Sequence, residues 1–119
     1  MASRFTELVV DCADPRRLAE FWAAALGWQP TGRYREAVEI AGPLGSGPSL
    51  VFIPVPEAKA VKNRLHIDAN PVGCEQEQEV ERLVGLGARR IDIGQGEPSW
   101  VVLADPEGNE FCVLRARVD

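Results

Sequence analysis

The feature that most constrains this chain is a pattern that occurs twice. Leu26-Gly27 and Leu86-Gly87 each close a segment in which apolar residues recur at helical spacing, and the two pairs lie 60 positions apart. Each helical segment follows one stretch typical of a strand and precedes three others, so the chain reads βαβββ twice. The repeat predicts an α+β fold of two modules, at about 4–55 and 63–116, inside the single domain that 119 residues normally form.

The first module combines an alternating strand with a capped helix. Polar and apolar residues alternate in Phe5–Cys12, which predicts a strand with Glu7 and Asp11 on its polar face. Asp14-Pro15 is typical of a helix start and Gly27 of a helix end, which predicts a helix from Pro15 to Leu26. The other strands of this module are predicted at Trp28–Arg33, Glu36–Ile40 and Leu50–Pro54.

The second module repeats this order. Alternation in Asn63–Asn70 predicts a strand whose apolar face packs inward. The polar face of that strand carries Arg64, His66 and Asp68. An amphipathic helix is predicted at Glu75–Leu86. Its expected inward residues are Val80, Leu83 and Val84. Three more strands are predicted at Arg89–Ile93, Trp100–Ala104 and Glu110–Leu114, with a turn at Asp105–Asn109 between the last two.

Charge and composition exclude several classes of protein. Lys and Arg number 13 against 18 Asp and Glu, and the net charge of -5 disfavours a nucleic-acid or anionic-membrane partner. No apolar run approaches the roughly 20 residues of a transmembrane helix. The 3 cysteines are widely spaced, which is typical of free thiols in a reducing compartment. We therefore expect a cytoplasmic protein.

The histidine count limits the metal chemistry. His66 is the 1 histidine of the chain, which excludes a facial triad of two histidines and a carboxylate, and a three-histidine zinc site, within one chain. His66 could be a metal ligand or a general acid/base near neutral pH. The alternative is a histidine that is hydrogen-bonded to a neighbouring carboxylate and has no chemical role.

The register of the repeat places four candidate positions together. An offset of 59 matches Glu7 with His66, and an offset of 60 matches Phe52 with Cys112. In a pseudo-symmetric arrangement these four positions would converge on one concavity. Glu7 could act there as a base, or it could pair with Arg64.

Several other residues are candidate ligand contacts. Phe52 and Trp100 could form an aromatic wall for a flat organic molecule, although core packing is the usual role of strand aromatics. Trp100 follows the segment 94–99, which could flank an opening. Cys112 is expected to line the pocket as a small side chain. Arg64 and Asp68 are polar contacts, with structural ion pairing as the alternative.

These motifs resemble the vicinal oxygen chelate superfamily. The resemblance rests on D-P at a helix start, L-G at its end and D-P-E-G-N before the last strand; the N-R-L-H-I-D strand and the W-V-V-L-A-D-P-E-G-N-E-F ending are similar to small glyoxalase-like and bleomycin-resistance-like members. The resemblance implies a cupped, mostly antiparallel eight-stranded sheet and a homodimer. It also implies metal ligands from the first and fourth strands of each module, at Glu7, Phe52, His66 and Cys112.

The ligand set implied by the resemblance is incomplete. Phe52 cannot bind a cation, so Glu7, His66 and Cys112 remain. Zinc accepts this mixture of oxygen, nitrogen and sulfur, whereas magnesium and manganese prefer oxygen. A metal-free protein is the alternative.

Two functions are therefore expected. The first is an enzyme of the lyase or isomerase type that binds a small organic molecule in the cleft between the modules and promotes proton transfer next to a carbonyl. In it Glu7 is the base, and His66, alone or through a metal, stabilises the oxyanion. The second is a metal-free protein that sequesters an antibiotic or natural product without turnover. An extradiol dioxygenase or thiol transferase is disfavoured because those family sites need more than one histidine.

Overall fold

The computed structural model describes residues 1–92 and 99–118. The chain divides into two compact units, Met1–Ala58 and Lys59–Asp119. None of the described helices is long and apolar enough to cross a membrane. The end of the strand predicted at Arg89–Ile93, and most of the segment 94–99, lie outside the described residues.

The first unit is a four-stranded mixed sheet with one helix. Its elements are β1 (Glu7–Cys12), α1 (Pro15–Leu26), β2 (Gln29–Tyr34), β3 (Ala37–Ala41) and β4 (Ser49–Pro54). The strand order is β1-β4-β3-β2, so β1 and β2 are the edges. β1 pairs with β4 in parallel, and the other pairs are antiparallel.

Local signals in the sequence determine both ends of α1. The Asp14 carboxylate accepts a hydrogen bond from the backbone N–H of Arg17 at 3.2 Å, which satisfies a donor that the helix itself leaves unpaired. Gly27 ends the helix with φ of 70°, a conformation that other residues adopt at a cost. Phe21 and Trp22 are buried, with their rings edge to face at 5.3 Å. The predicted helix Pro15 to Leu26 is confirmed.

The second unit repeats the plan with shorter strands. Its elements are β5 (Asp68–Ala69), α2 (Gln76–Leu86), β6 (Arg89–Arg90), β7 (Val101–Ala104) and β8 (Glu110–Val113), in the sheet order β5-β8-β7-β6. β5 is parallel to β8, and the other two pairs are antiparallel. The predicted α+β class is confirmed, and the described strands form two four-stranded mixed sheets.

Two predictions for the second unit are wrong in detail. The strand expected over Asn63–Asn70 is limited to Asp68–Ala69, and Leu65 is 82% exposed. The backbone N–H of Asn63 donates to the Glu110 carboxylate at 2.9 Å and not to a strand carbonyl, and the backbone pairing of this segment with β8 begins only at Ile67, whose carbonyl accepts from the Cys112 N–H at 2.9 Å. Val84, expected on the inward face of α2, is 41% exposed.

The turn before β8 is built around one buried carboxylate. Asp105 is 1% exposed, and its Oδ1 accepts hydrogen bonds from the backbone N–H groups of Glu107 at 2.9 Å and Asn109 at 3.0 Å. Gly108 has φ of 88°, which suits glycine. The turn therefore fixes where β8 begins, and with it the direction of every β8 side chain.

Candidate functional site

A cavity of about 350 Å³ opens on the sheet of the second unit. Its volume falls within the roughly 300–1,000 Å³ typical of small-molecule sites. Its lining combines polar and apolar side chains: Lys62, His66, Asp68, Trp100, Val102, Glu110, Cys112 and Leu114. The cavity therefore offers contacts both to a carbon skeleton and to polar groups.

Strand register brings these side chains to one face. Cys112 lies opposite Asp68 in the β5–β8 pair and opposite Val102 in the β7–β8 pair. Residues that are paired across strands point to the same side of a sheet. Glu110 and Leu114, two residues before and after Cys112, share that side by alternation. The central position of the site is therefore Cys112.

His66, Asp68 and Cys112 form a compact group of potential metal ligands. One ligand atom from each side chain lies within 4.8 Å of the others. His66 Nε2 lies 3.1 Å from Asp68 Oδ1, and both side chains are nearly half exposed. Sequence reasoning named all three residues as site residues but assigned Glu7, not Asp68, to the metal. The contact with Asp68 also matches the alternative for His66, a histidine that is hydrogen-bonded to a neighbouring carboxylate and has no chemical role.

The environment of Cys112 favours the neutral thiol. Burial raises the pKa of the thiol, the negative charge of Asp68 raises it further, and the Lys62 ammonium group lowers it in part. Cys112 is 7% exposed. In the absence of a bound cation, Cys112 is therefore a weak nucleophile.

Glu110 is a site residue that sequence reasoning missed. Burial alone would raise the pKa of its carboxyl group, but the backbone N–H of Asn63 and the side chain of Lys59 bond the charged form, and the net pKa is lowered. Lys59 Nζ lies 3.0 Å from Glu110 Oε1. The available signal was the alternation of β8, which puts Glu110 on the same face as Cys112.

The first unit has an open polar face of its own. Glu7 is exposed on β1, and its register partner on β4 is Ser49. Glu39 on β3 accepts hydrogen bonds from the Thr31 hydroxyl at 2.7 Å and from the Ser49 hydroxyl at 3.0 Å. Sequence reasoning missed Glu39, although a carboxylate between the apolar residues of A-V-E-I-A is typical of an outward strand position.

The expectation that Phe52 shares a face with Glu7 is wrong. Phe52 pairs with Val10 and lies three positions after Ser49, an odd number, so its side chain points to the opposite side of the sheet from Glu7. Phe52 is 0% exposed, which favours its alternative role in the core. Val51, which is 61 positions before Cys112, shares the face of Glu7. An apolar residue therefore still stands where a fourth ligand was expected.

Trp100 and Arg64 differ in placement. Trp100 is 42% exposed and lines the cavity. The Gln76 side chain donates to the carbonyl groups of Ser99 at 2.8 Å and of Val113 at 3.0 Å, which anchors the chain next to Trp100. Arg64 is exposed and is not one of the described residues that line this cavity.

The fold is that of the vicinal oxygen chelate superfamily. The sequence profile of the glyoxalase-like domain matches residues 7–114, and the chain belongs to that family. The resemblance inferred from the sequence is thus confirmed. No curated protein matches the sequence significantly.

Solved structures show the same fold. A hypothetical protein from S. aureus superposes with a TM-score of 0.70 at 16% identity, over 98% of this chain and 95% of that chain. A glyoxalase/bleomycin resistance protein/dioxygenase family enzyme from Burkholderia phytofirmans gives 0.64 at 17% identity, over 93% and 97%. A mutant of the fosfomycin resistance protein FosX from Listeria monocytogenes, in complex with Mn(II) and 1S,2S-dihydroxypropylphosphonic acid, gives 0.75 at 11% identity, over 98% and 94%.

Proposed function

We propose that this protein is a glyoxalase-like enzyme of the lyase or isomerase type. It binds a small organic molecule and a zinc ion in the cavity of the second unit and promotes proton transfer next to a carbonyl group. The observation that carries the proposal is the group His66, Asp68 and Cys112, whose ligand atoms lie within 4.8 Å of one another on the wall of a cavity of about 350 Å³. Membership in the glyoxalase-like family supports it.

The donor set fits zinc. His66, Asp68 and Cys112 offer one nitrogen, one oxygen and one sulfur, and zinc binds all three of these donor types. The FosX complex contains Mn(II), a metal that prefers oxygen ligands. The nitrogen, oxygen and sulfur donors of this chain differ from that preference. Zinc bound here would supply a positive charge that stabilises negative charge developing on a substrate oxygen.

The chain's own residues have separate roles in the proposal. Trp100, Val102 and Leu114 exclude water from the carbon skeleton of the ligand, because they are large apolar side chains of the cavity lining. The Lys62 ammonium group on the same lining orients a substrate oxygen. Glu7, the exposed carboxylate at the first residue of β1 in the first unit, remains the base that the sequence predicts, and its role is tested separately from the cavity.

Metal analysis of variants tests the zinc site. Protein purified without added metal should carry about one equivalent of zinc, the usual content of a single site, and His66→Ala and Cys112→Ser should lose it. Cys74→Ser is the matched control, since Cys74 is a free cysteine that is not part of the ligand group. Zinc retained at full content in both site variants would refute the assignment. Zinc addition to the metal-free protein should also release a proton, because the Cys112 thiol must ionise to bind.

Isotope exchange tests the base. The wild type should accelerate the exchange of solvent deuterium into the carbon next to the carbonyl of small α-hydroxyketones, and Glu7→Gln should abolish the acceleration. Asp11→Asn is the control, because Asp11 is a second exposed carboxylate on the same face of β1. Equal acceleration by Glu7→Gln and wild type would eliminate Glu7 as the base.

Sequestration of a natural product is the alternative function. The observation that favours it is the contact of His66 Nε2 with Asp68 Oδ1 at 3.1 Å, which satisfies both groups without a metal. A metal-free wild type that binds an aromatic antibiotic such as bleomycin, with quenching of tryptophan fluorescence that Trp100→Phe removes, would establish this function over the first.

A cytoplasmic homodimer completes the proposal. β1 is an edge strand, and Phe5 and Val9 are exposed by 66% and 46%. Exposed apolar edges are prone to pair with a second chain. Sedimentation equilibrium should give twice the chain mass for the wild type and the single mass for Val9→Lys. A single mass for the wild type would rule out the dimer.

A further inference from the structure

The first unit contains a second concavity, which the proposed chemistry does not use. It has a volume of about 390 Å³, and three arginines line it: Arg16, Arg33 and Arg35. Arg16 lies in the first turn of α1, Arg33 lies in β2, and Arg35 lies in the turn between β2 and β3. Three separate parts of the chain therefore each contribute an arginine to the lining of one cavity.

The concavity lies on the helix side of the first sheet. Arg33 pairs with Val38 across β2 and β3, and Val38 pairs with the buried Phe52. Paired residues share a face, so Arg33 is on the face of Phe52, opposite to the face of Glu7. All the lining residues belong to the first unit.

The charges of this cavity are unusual for the chain. The protein has a net charge of -5, yet three of its 13 cationic residues line one concavity. In the part of the chain that the structure describes, no carboxylate forms a salt bridge with Arg16, Arg33 or Arg35. An anion bound in the concavity would therefore meet guanidinium groups that no carboxylate of the described residues engages in a salt bridge.

Two carboxylates, Asp14 and Glu36, also line this cavity and indicate which neutral groups the ligand carries. Asp14 Oδ1 is engaged with the backbone N–H of Arg17 at 3.2 Å, whereas Glu36 is an exposed carboxylate in the turn beside Arg35. A carboxylate accepts hydrogen bonds and repels a second anion. The lining therefore suits a molecule with one anionic group and neighbouring hydroxyl groups.

We propose that this concavity binds a small phosphorylated and hydroxylated metabolite of the sugar-phosphate class. The planar guanidinium groups of Arg16, Arg33 and Arg35 contact the phosphate oxygens, because paired N–H donors match phosphate geometry. Glu36 accepts a hydrogen bond from a hydroxyl group. The volume of about 390 Å³ exceeds what a phosphate ion alone would fill and lies within the usual range for metabolite sites.

Calorimetric titration of the full chain at constant ionic strength tests the proposal with three probes: ribose 5-phosphate, inorganic phosphate and ribose. Ribose 5-phosphate should bind saturably, inorganic phosphate more weakly, and ribose not at all. Arg33→Gln and Arg35→Gln should each weaken ribose 5-phosphate binding by about tenfold or more, the usual effect of losing one charged hydrogen-bonding group. Arg115→Gln, an exposed arginine outside the cavity with the same change in net charge, should bind like wild type.

A fourth variant separates the metabolite from a bare anion. Glu36→Ala should strengthen the binding of inorganic phosphate, because it removes a like charge, and should reduce the advantage of ribose 5-phosphate over inorganic phosphate. Thermal unfolding of each variant confirms that it is folded. Absence of saturable binding, or equal weakening by Arg115→Gln, would overturn the site. Equal affinity for ribose 5-phosphate and inorganic phosphate would overturn the ligand class.

Discussion

The Cys112 thiol reports on the charge of Asp68. Burial is the larger cause of the raised pKa of Cys112, and the negative charge of the Asp68 carboxylate is the second. Asp68→Asn should therefore lower the pKa of Cys112 and increase its thiolate fraction at neutral pH. In the presence of a chelator, alkylation of Cys112 by iodoacetamide should then be several times faster in Asp68→Asn than in wild type. Peptide mass spectrometry measures the rate at each cysteine separately.

Cys74 in the same samples is the internal control for this experiment. It lies outside the cavity lining, and its alkylation rate should not depend on residue 68. An unchanged rate at Cys112 would mean that the Asp68 charge does not reach the thiol.

Protonation of Glu110 in acid should make the protein less stable. Its pKa in the folded protein lies below 4.5, so the stabilisation that it contributes is complete above that pH and is lost as the pH falls through the lowered pKa. Glu110→Gln should reduce the free energy of unfolding at pH 7 by about 1–2 kcal/mol. The reason is that the neutral amide of Gln accepts weaker hydrogen bonds from Lys59 and Asn63 than the carboxylate does, or loses them. Urea unfolding between pH 3 and pH 7 measures this difference, which should shrink toward acid pH.

Glu57→Gln is the control for Glu110→Gln. Glu57 is exposed and should leave the pH dependence unchanged. A constant difference between Glu110→Gln and wild type from pH 3 to pH 7 would contradict the proposed linkage.

Strand alternation accounts for part of the candidate site. His66, Asp68, Trp100 and Cys112, which the sequence named as site residues, line one cavity, and their functional roles stay predictions. Phe52 was misplaced because the offset of 60 between helix ends was applied to the fourth strands, where the matching offset is 61. A shift of one residue moves a strand side chain to the other face of the sheet.

Helix α2 contains a glycine at a position where neither the backbone conformation nor a close contact requires one. Gly85 is exposed, and a Cβ atom added there would meet nothing within 4 Å. Gly85→Ala should stabilise the protein by about 0.5–1 kcal/mol, because alanine loses less conformational entropy in a helix. Thermal unfolding should show a higher melting temperature.

Gly87 provides the opposite comparison at the end of the same helix. Its φ of 127° is strained for any side chain, so Gly87→Ala should lower the melting temperature. The same direction of change in both variants would show that backbone conformation does not control the end of α2.

The helices were easier to predict than the short strands. Helix signals are local: Asp14-Pro15 and Gly27 define the bounds of α1 without reference to the rest of the chain. β5 depends on a distant partner, because the backbone N–H of Cys112 bonds the carbonyl of Ile67 at 2.9 Å and that of Leu114 bonds Ala69 at 2.8 Å. Nothing in N-R-L-H-I-D-A-N shows that Asn63 is bonded to Glu110 instead.

The two units keep the same strand order but differ in chemistry. In each, a first strand runs parallel to the fourth, and that pair sets the open face: Glu7 beside Ser49 in one unit, Asp68 beside Cys112 in the other. Among the described residues, only the second unit has a group of three potential metal ligands within one small sphere. A bound metal should therefore stabilise the second unit more than the first.

Hydrogen exchange should show this asymmetry. Zinc at a hundredfold excess over its dissociation constant stabilises the binding state by about 2.7 kcal/mol, which slows exchange through local opening by about a hundredfold. The slowed amides should be those of the β5–β8 pair, such as Cys112 and Leu114, because Asp68 and Cys112 are two of the three proposed zinc ligands. The amides of β3 and β4 in the first unit should change far less. His66→Ala should abolish the slowing of exchange by zinc in both units. Equal protection of both units by zinc in the wild type would contradict a site confined to the second unit.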